Sequence, residues 1–416
     1  MIAKTLLWIW NEQDWNRVPS LAVRAPAGKP RSSAGEWHAI RSPGFAPNLS
    51  RREKLKTGHD AVKTASCRMN NRYAPISPCR AGSDLSMPNT PTSGTPLTEL
   101  IQMHRMSADV VRTELTAGIL ARQACIAPKF LYDALGSKLF EAICELPEYY
   151  LTRTEAAVFD AHLPAIAASI GQGGTLIDLG AGNCAKAARL FAALQPAQYV
   201  PVDISANFLR DALSLLRQRF PEIKMTGLGL DFSETLDLPD AVRRERRLFF
   251  YPGSSIGNFT PEQAVAFLRR VHAACGTDRR AGGALLIGVD LIKDRRMLEA
   301  AYDDALGVTA AFNLNLLRHL NALLQADFDV REWTHRACFN ADQNRIEMHL
   351  EAARAVDVSW PGGRRRFEEG ERIHTENSYK YTREDFVMLL ERAGFGHVRC
   401  WTDAQGWFMV CHAQAI

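Results

Sequence analysis

Thr175-Leu176-Ile177-Asp178-Leu179-Gly180-Ala181-Gly182 is the stretch on which the fold turns. A short apolar run ends in an aspartate-containing turn with two glycines, and a helical pattern follows over residues 185–194. Glycines at such a strand end let the backbone turn tightly and approach a ligand. Outward from this point the same texture repeats. Apolar runs at 199–203, 223–228, 247–251 and 284–289 alternate with helical patterns at 206–220, 236–243 and 261–274. Strand and helix in alternation predict an α/β fold: a parallel sheet with helices on both faces.

A lone Gly-x-Gly is a weak signal, because ordinary turns between strand and helix also use glycine. Three further features sharpen it. Ala185 stands where the third glycine of a dinucleotide fingerprint would pack a pyrophosphate-binding helix. Asp203 ends the second strand, 21 residues after Gly182, where an acid can hold both ribose hydroxyls. Asp231 and Phe232 end the third strand, where an acid and an aromatic can grip an adenine ring. Singly, Asp203 reads as a helix N-cap and the Asp231-Phe232 pair as a turn acid beside a core aromatic. Together, at the strand edge where open α/β sheets bind ligands, they fit S-adenosyl-L-methionine better than a dinucleotide, since a sulfonium needs no phosphate clamp.

The 416 residues hold 46% hydrophobic and 23% charged side chains, a globular composition. No run of 18 apolar residues appears, so no membrane-spanning helix is expected. Nine cysteines are scattered without a Cys-x-x-Cys pair, which argues against a metal cluster or a disulfide framework and for a reducing, cytoplasmic setting. The formal net charge of +4 divides unevenly. Residues 1–98 hold 14 Lys+Arg and 6 Asp+Glu; the remainder holds 36 and 40. The body is therefore mildly acidic, which argues against nucleic acid as its partner.

Residues 11–98 show no sustained apolar period and are expected to be a disordered basic extension. Upstream translation before an internal start at Met87, Met103 or Met106 fits that reading; an organellar address or a nucleic-acid arm are the other readings. Removing residues 1–98 is expected to leave activity intact. From residue 99 onward, helices are expected over 99–125, 133–146 and 154–170, and again over 294–330. Strands and turns follow over 331–381, then a helix from Thr382 to Gly394 with capping-box spacing, then a strand pair at 397–401 and 407–411. This ordering places a sheet core at 156–293 and 382–416, an insertion at 294–381, and helices at 99–155 that join the insertion to form a substrate side.

Four segments carry a resemblance. They are Lys129-Phe130-Leu131-Tyr132-Asp133-Ala134-Leu135-Gly136-Ser137, Leu146-Pro147-Glu148-Tyr149-Tyr150-Leu151-Thr152-Arg153-Thr154-Glu155, Tyr251-Pro252-Gly253-Ser254-Ser255-Ile256-Gly257-Asn258-Phe259 and Ile373-His374-Thr375-Glu376-Asn377-Ser378-Tyr379-Lys380-Tyr381. They closely resemble the L-histidine Nα-methyltransferases of ergothioneine biosynthesis, over roughly residues 99–416. The resemblance implies a class I (Rossmann-like) methyltransferase sheet with an inserted α+β substrate-binding domain. It implies transfer of three methyl groups to the α-amine of histidine, giving hercynine, by a monomer acting on a small molecule.

By the same resemblance, Tyr132, Gly180, Gly182, Lys186, Asp203, Asp231 and Phe232 hold the cofactor. Tyr149, Asn258 and Tyr302 grip the amino-acid backbone, with Tyr149 and Asn258 orienting the attacking amine. Met348, Glu376 and Ser378 surround the imidazole. Glu376 and Ser378, at i and i+2, share one face of a strand. Without the resemblance they read as a hairpin edge, Met348 as a core methionine, Tyr302 as a helix-surface aromatic and Lys186 as a solvated charge. Two rivals remain: a methyltransferase for another aromatic amine such as an indole amino acid, and a non-catalytic cofactor-binding scaffold. An indole offers one N–H and no acceptor nitrogen, which sets Glu376 with Ser378 against the first.

Overall fold

The computed structural model describes residues 99–103, 107–204, 206–276 and 282–416, with the side chains of 206–208 excepted. The expectations for residues 1–98 lie outside the described residues. In chain order the elements are β1 (Glu99–Gln102), α1 (Ala108–Leu120), α2 (Ala134–Cys144), α3 (Tyr150–Ile170), β2 (Thr175–Leu179), α4 (Ala185–Ala188), α5 (Phe191–Leu194), β3 (Gln198–Asp203), α6 (Ala206–Arg219), β4 (Lys224–Gly229), β5 (Arg247–Tyr251), α7 (Pro261–Ala274) and β6 (Ala284–Asp290). They continue with α8 (Arg295–Ala300), α9 (Val308–Leu324), β7 (Trp333–Asn340), β8 (Arg345–Ala352), β9 (Val356–Trp360), β10 (Gly363–Phe367), β11 (Arg372–Tyr379), α10 (Arg383–Arg392), β12 (Phe395–Thr402) and β13 (Phe408–Ala415).

The large sheet has the order β1-β4-β3-β2-β5-β6-β13-β12. Its first six strands run parallel, while β13 pairs antiparallel with β6 and β12 antiparallel with β13. Every residue of β2 is buried, as the centre of a sheet covered on both faces requires. From β2 the chain first builds toward β3 and β4, then crosses to β5 and β6. The strand order therefore reverses at β2, and the crevice beyond its C-terminal end is where such sheets bind ligands. Between β6 and α10 the chain leaves this sheet and forms a three-stranded antiparallel sheet, β11-β8-β7, and a two-stranded one, β10-β9.

Apolar packing joins these parts. One cluster contains Leu115, Ile143, Tyr149, Tyr302, Leu316, Trp333, Met348 and Ile373, tying α1 and α2 to α9 and the three-stranded sheet. Two other clusters cover the faces of the large sheet. Each fully buried large apolar side chain contributes about 1.5–3 kcal/mol.

Four expectations are corrected. Residues 99–102 form no helix; Leu100 and Ile101 pair with Gly227 and Leu228 on the sheet edge, and the helix starts only after Ser107, whose side chain caps Val110 N–H. Residues 236–243 are not helical, because Pro239 disfavours helix in the residue before it and ends in a turn with Val242. The pattern at 185–194 splits into α4 and α5. The third helix begins at Tyr150, four residues before its expected start, and continues through Pro164.

Candidate active site

The glycine turn after β2 carries two residues at positive φ, Gly180 at 70° and Gly182 at 51°. A side chain there would strain the backbone, which is why glycine stands at both. Asp203, at the end of β3, holds the turn: its Oδ2 accepts the Gly182 N–H at 3.0 Å. Phe232 closes the other side, with its ring edge 3.7 Å from where a Gly180 Cβ would sit. Nothing lies within 4 Å of a Cβ built on Gly182, so the backbone there is open to a neighbour. Phe232 packs against Tyr251 and Phe267 at 5.8 and 6.0 Å between ring centres. Asp231 accepts the Ser233 N–H at 3.1 Å and meets Lys129 Nζ at 3.4 Å. Beneath the turn, Asp178 is buried and takes the Tyr199 hydroxyl at 2.8 Å; burial raises its pKa to about 7.

Lys186, on α4, is not simply solvated. Its Nζ meets Glu155 Oε2 at 2.6 Å, and Glu155 Oε1 accepts the Gly253 N–H at 2.7 Å. Glu155 is itself buried. One carboxylate thus ties α3, the helix after the glycine turn and the loop after β5 together.

The residues assigned to the imidazole lie on β11 and β8. Glu376 lies opposite Met348, and Ser378 opposite Ile346, in the β11–β8 ladder. A bulge between His374 and Glu376 puts one extra residue, Thr375, into β11. As a result Ile373, Glu376 and Ser378 share a face, while His374 and Asn377 share the other. Glu376 is 7% exposed and Ser378 4%. Among the described residues the Glu376 carboxylate has no hydrogen-bond partner, and burial lifts its pKa from 4.5 to about 7, with Lys380 pulling the other way.

Aromatic rings surround this carboxylate. Tyr149, just before α3, packs edge-on against Tyr302 and Phe140, both at 6.1 Å. Tyr132 packs against Phe140 and Phe312, both at 5.5 Å. Burial holds the Tyr132 and Tyr149 phenols well above their ordinary pKa, with the Glu376 charge adding to it. Both therefore stay protonated. Tyr302 is buried in the turn after α8, not on a helix surface, and its hydroxyl lies 2.7 Å from Ser378 Oγ. Asn258 ends a short 3₁₀ turn, Ser255–Asn258, that packs against β11. Gly257 permits this: a Cβ there would come 2.9 Å from the Tyr379 carbonyl.

The structure thus gathers Tyr132, Tyr149, Tyr302, Met348, Glu376 and Ser378 into one group, and Gly180, Gly182, Asp203 and Phe232 into another. Four residues carry weight that the sequence reading overlooked: Glu155, Tyr150, Asp290 and Lys380. Asp290, fully buried at the end of β6, meets Lys380 Nζ at 2.8 Å, Lys293 Nζ at 2.6 Å and the Tyr150 hydroxyl at 2.6 Å. An acid closing an otherwise apolar strand was the available signal, the same one that singled out Asp203.

A parallel sheet that reverses at a glycine turn, with an acid on the next strand and an antiparallel final strand slotted between β6 and β12, defines a class I, S-adenosylmethionine-dependent methyltransferase. Residues 111–415 match the model of the histidine-specific methyltransferases, described as SAM-dependent, and the chain belongs to that family. It is 39% identical over 308 residues to the histidine N-alpha-methyltransferase of Mycolicibacterium smegmatis, spanning 73% of this chain and 94% of that one. It is 36% identical over 309 residues to the protein of the same name from Mycobacterium tuberculosis, spanning 72% and 92%. Ergothioneine biosynthesis protein 1 of Neurospora crassa matches at 30% identity over 315 residues, 73% of this chain but 35% of that longer one. Among the described residues no helix is long and apolar enough to cross a membrane.

Proposed function

We propose that the protein methylates the α-amine of L-histidine three times, giving hercynine, with S-adenosylmethionine as donor. The observation that carries this reading is the Glu376 carboxylate, buried and with no hydrogen-bond partner among the described residues, on the strand face that also presents Ser378. A group of this kind costs free energy until a ligand donates to it. An imidazole N–H does so, and a hydrogen bond to a charged acceptor contributes about 1.5–3 kcal/mol. An indole meets Glu376 but leaves Ser378 without an acceptor.

The residues at the glycine turn suit the donor. Gly180 and Gly182 leave the backbone accessible, Asp203 sits where ribose hydroxyls would lie, and Phe232 with Asp231 borders the adenine position. Lys186 lies toward the methionine end. The bound donor supplies an already activated methyl group, so the protein's task is chiefly placement, worth about 7–11 kcal/mol when reacting atoms are held in line. Tyr149 and Asn258 orient the amine, which must be neutral to attack. Because Tyr149 stays protonated, its oxygen serves as a hydrogen-bonding guide and not as a phenolate base. Tyr302 borders the same end of the substrate, and Met348 fills the ring's apolar side. The helices within 99–155 and the insertion at 294–381, whose buried side chains from Leu115 to Leu151 and from Leu298 to Ile373 share one apolar cluster, form the substrate side of this arrangement.

The test is a methylation assay over a panel of free amino acids. Histidine should gain three methyl groups by mass and tryptophan few or none; the reverse would overturn the reading. Tyr149→Phe should shorten the methylation series, and an unchanged product distribution would remove its hydroxyl from the mechanism.

A further inference from the structure

Behind Ser378 and Tyr302 lies a closed hydrogen-bond network. Lys380 Nζ contacts Asp290 Oδ2 at 2.8 Å, Ser378 Oγ at 2.8 Å and Tyr302 Oη at 3.1 Å. An ammonium has three protons and no acceptor, so all three are committed. Both partners of the Lys380–Asp290 pair are fully buried. Burial pulls against the Lys380 charge, and Asp290 with Tyr302 outweighs it, holding the ammonium above its ordinary pKa.

The two hydroxyls then have little freedom as acceptors. Each oxygen already takes a proton from Lys380. The Tyr302–Ser378 contact at 2.7 Å consumes one of their own two protons, whichever oxygen gives it. One O–H remains, and neither oxygen of the pair can turn both its lone pairs outward. The phenol is the stronger acid; with Tyr302 as donor in this pair, the proton left over for a ligand is that of Ser378 Oγ. Two positions back on the same face stands Glu376, an acceptor.

We propose that Lys380, anchored by Asp290, is a positioning residue that forces this wall to present one donor beside one acceptor, so that the site selects a neutral five-membered ring bearing one N–H and one unprotonated nitrogen. This deepens the histidine reading and rests on it. A cationic imidazolium, with two N–H groups, would satisfy Glu376 but confront the Ser378 proton and the Lys380 charge behind it. The other ionisable groups around the ring are the phenols of Tyr132, Tyr149 and Tyr302, all held protonated by burial. None supplies a second acceptor charge.

The experiment uses the whole chain with S-adenosylhomocysteine and ring-15N histidine at pH 7. The bound ring should show one protonated and one unprotonated nitrogen, as a single tautomer. A bound, methylatable histidine with both nitrogens protonated would overturn this inference and leave the substrate assignment standing; absence of any histidine complex would sink both. A second measurement compares histidine with β-(pyrrol-2-yl)alanine, which keeps an N–H but lacks the acceptor nitrogen. Wild type should favour histidine in kcat/KM by about tenfold or more, as expected for a lost hydrogen bond that leaves a buried donor unpaired. Lys380→Met should erase most of that preference while S-adenosylhomocysteine binding persists; an undiminished preference in a folded variant would refute the role of Lys380. The spectrum of the wild-type complex decides the matter should that variant fail to fold.

Discussion

At the glycine turn both strand-end acids are already engaged by the protein, Asp203 by the Gly182 N–H and Asp231 by Ser233 and Lys129, whereas on β11 Glu376 has no hydrogen-bond partner among the described residues. The two walls accordingly work by different means. The cofactor wall is a matter of backbone shape: glycines at positive φ, an acid that pins their turn and an aromatic edge. The substrate wall is a matter of buried charge: one carboxylate left waiting, and a lysine fully spent on holding two hydroxyls. Shape tolerates small losses, while buried charge does not, because a group deprived of its counterpart has no water to turn to.

The sharpest way to break this comparison is at the anchor of the buried wall. Asp290→Ala strands the Lys380 ammonium and should cost about 3–5 kcal/mol of stability, read as a large drop in the denaturant midpoint. A near-normal midpoint would mean that the pair is not the anchor. Next comes Glu376→Ala, expected to lower kcat/KM for histidine by about 10- to 150-fold, the equivalent of ~1.5–3 kcal/mol. Its dissociation constant for S-adenosylhomocysteine should stay near wild type; a parallel loss of both would show that the walls are not separable.

On the cofactor wall, Gly182→Ala meets no atom within 4 Å but must hold φ near 51°. The cost should be about 1–2 kcal/mol, seen as weaker S-adenosylhomocysteine binding with the preference among amino acids unchanged. The last effect is a pH dependence. Glu376 has a folded pKa of about 7, above its ordinary 4.5. A raised value means that the group favours folding when protonated, and that this contribution fades as pH climbs from 4.5 through 7. Glu376→Gln should therefore stabilise the free enzyme more at pH 8 than at pH 5, in paired denaturation curves. A pH-independent difference would place the carboxylate in water.

The α/β order of the sheet was legible because parallel interior strands are uniformly apolar and their turns carry glycine or acid, as in β2, β3 and β5. The edge strand β1 was not: four residues with two adjacent apolar side chains fit a helix equally well, and only the neighbouring backbone of β4 decides. Pro239 could have argued against a helix at 236–243, but the apolar spacing around it masked the break. On the candidate site, the i, i+2 relation of Glu376 and Ser378 was readable from strand periodicity. Lys380 was not, since a lysine at a strand end is ordinarily a solvated charge, and its partner Asp290 lies 90 residues away in sequence. Long-range charge pairing leaves no local pattern, so Glu155 beside Lys186 was equally silent.

Thr375 shows how finely this wall is aimed. Because alternate side chains along β11 look in opposite directions, it is the extra residue that lets Ile373 and Glu376, three positions apart, share a face. Were Thr375 drawn into the ladder, either Ile373 would leave the interior, or Thr375 would take the place of Glu376 opposite Met348 and Asn377 that of Ser378. Ligand choice in this scaffold is thus governed by one residue left out of a strand's pairing as much as by side-chain chemistry.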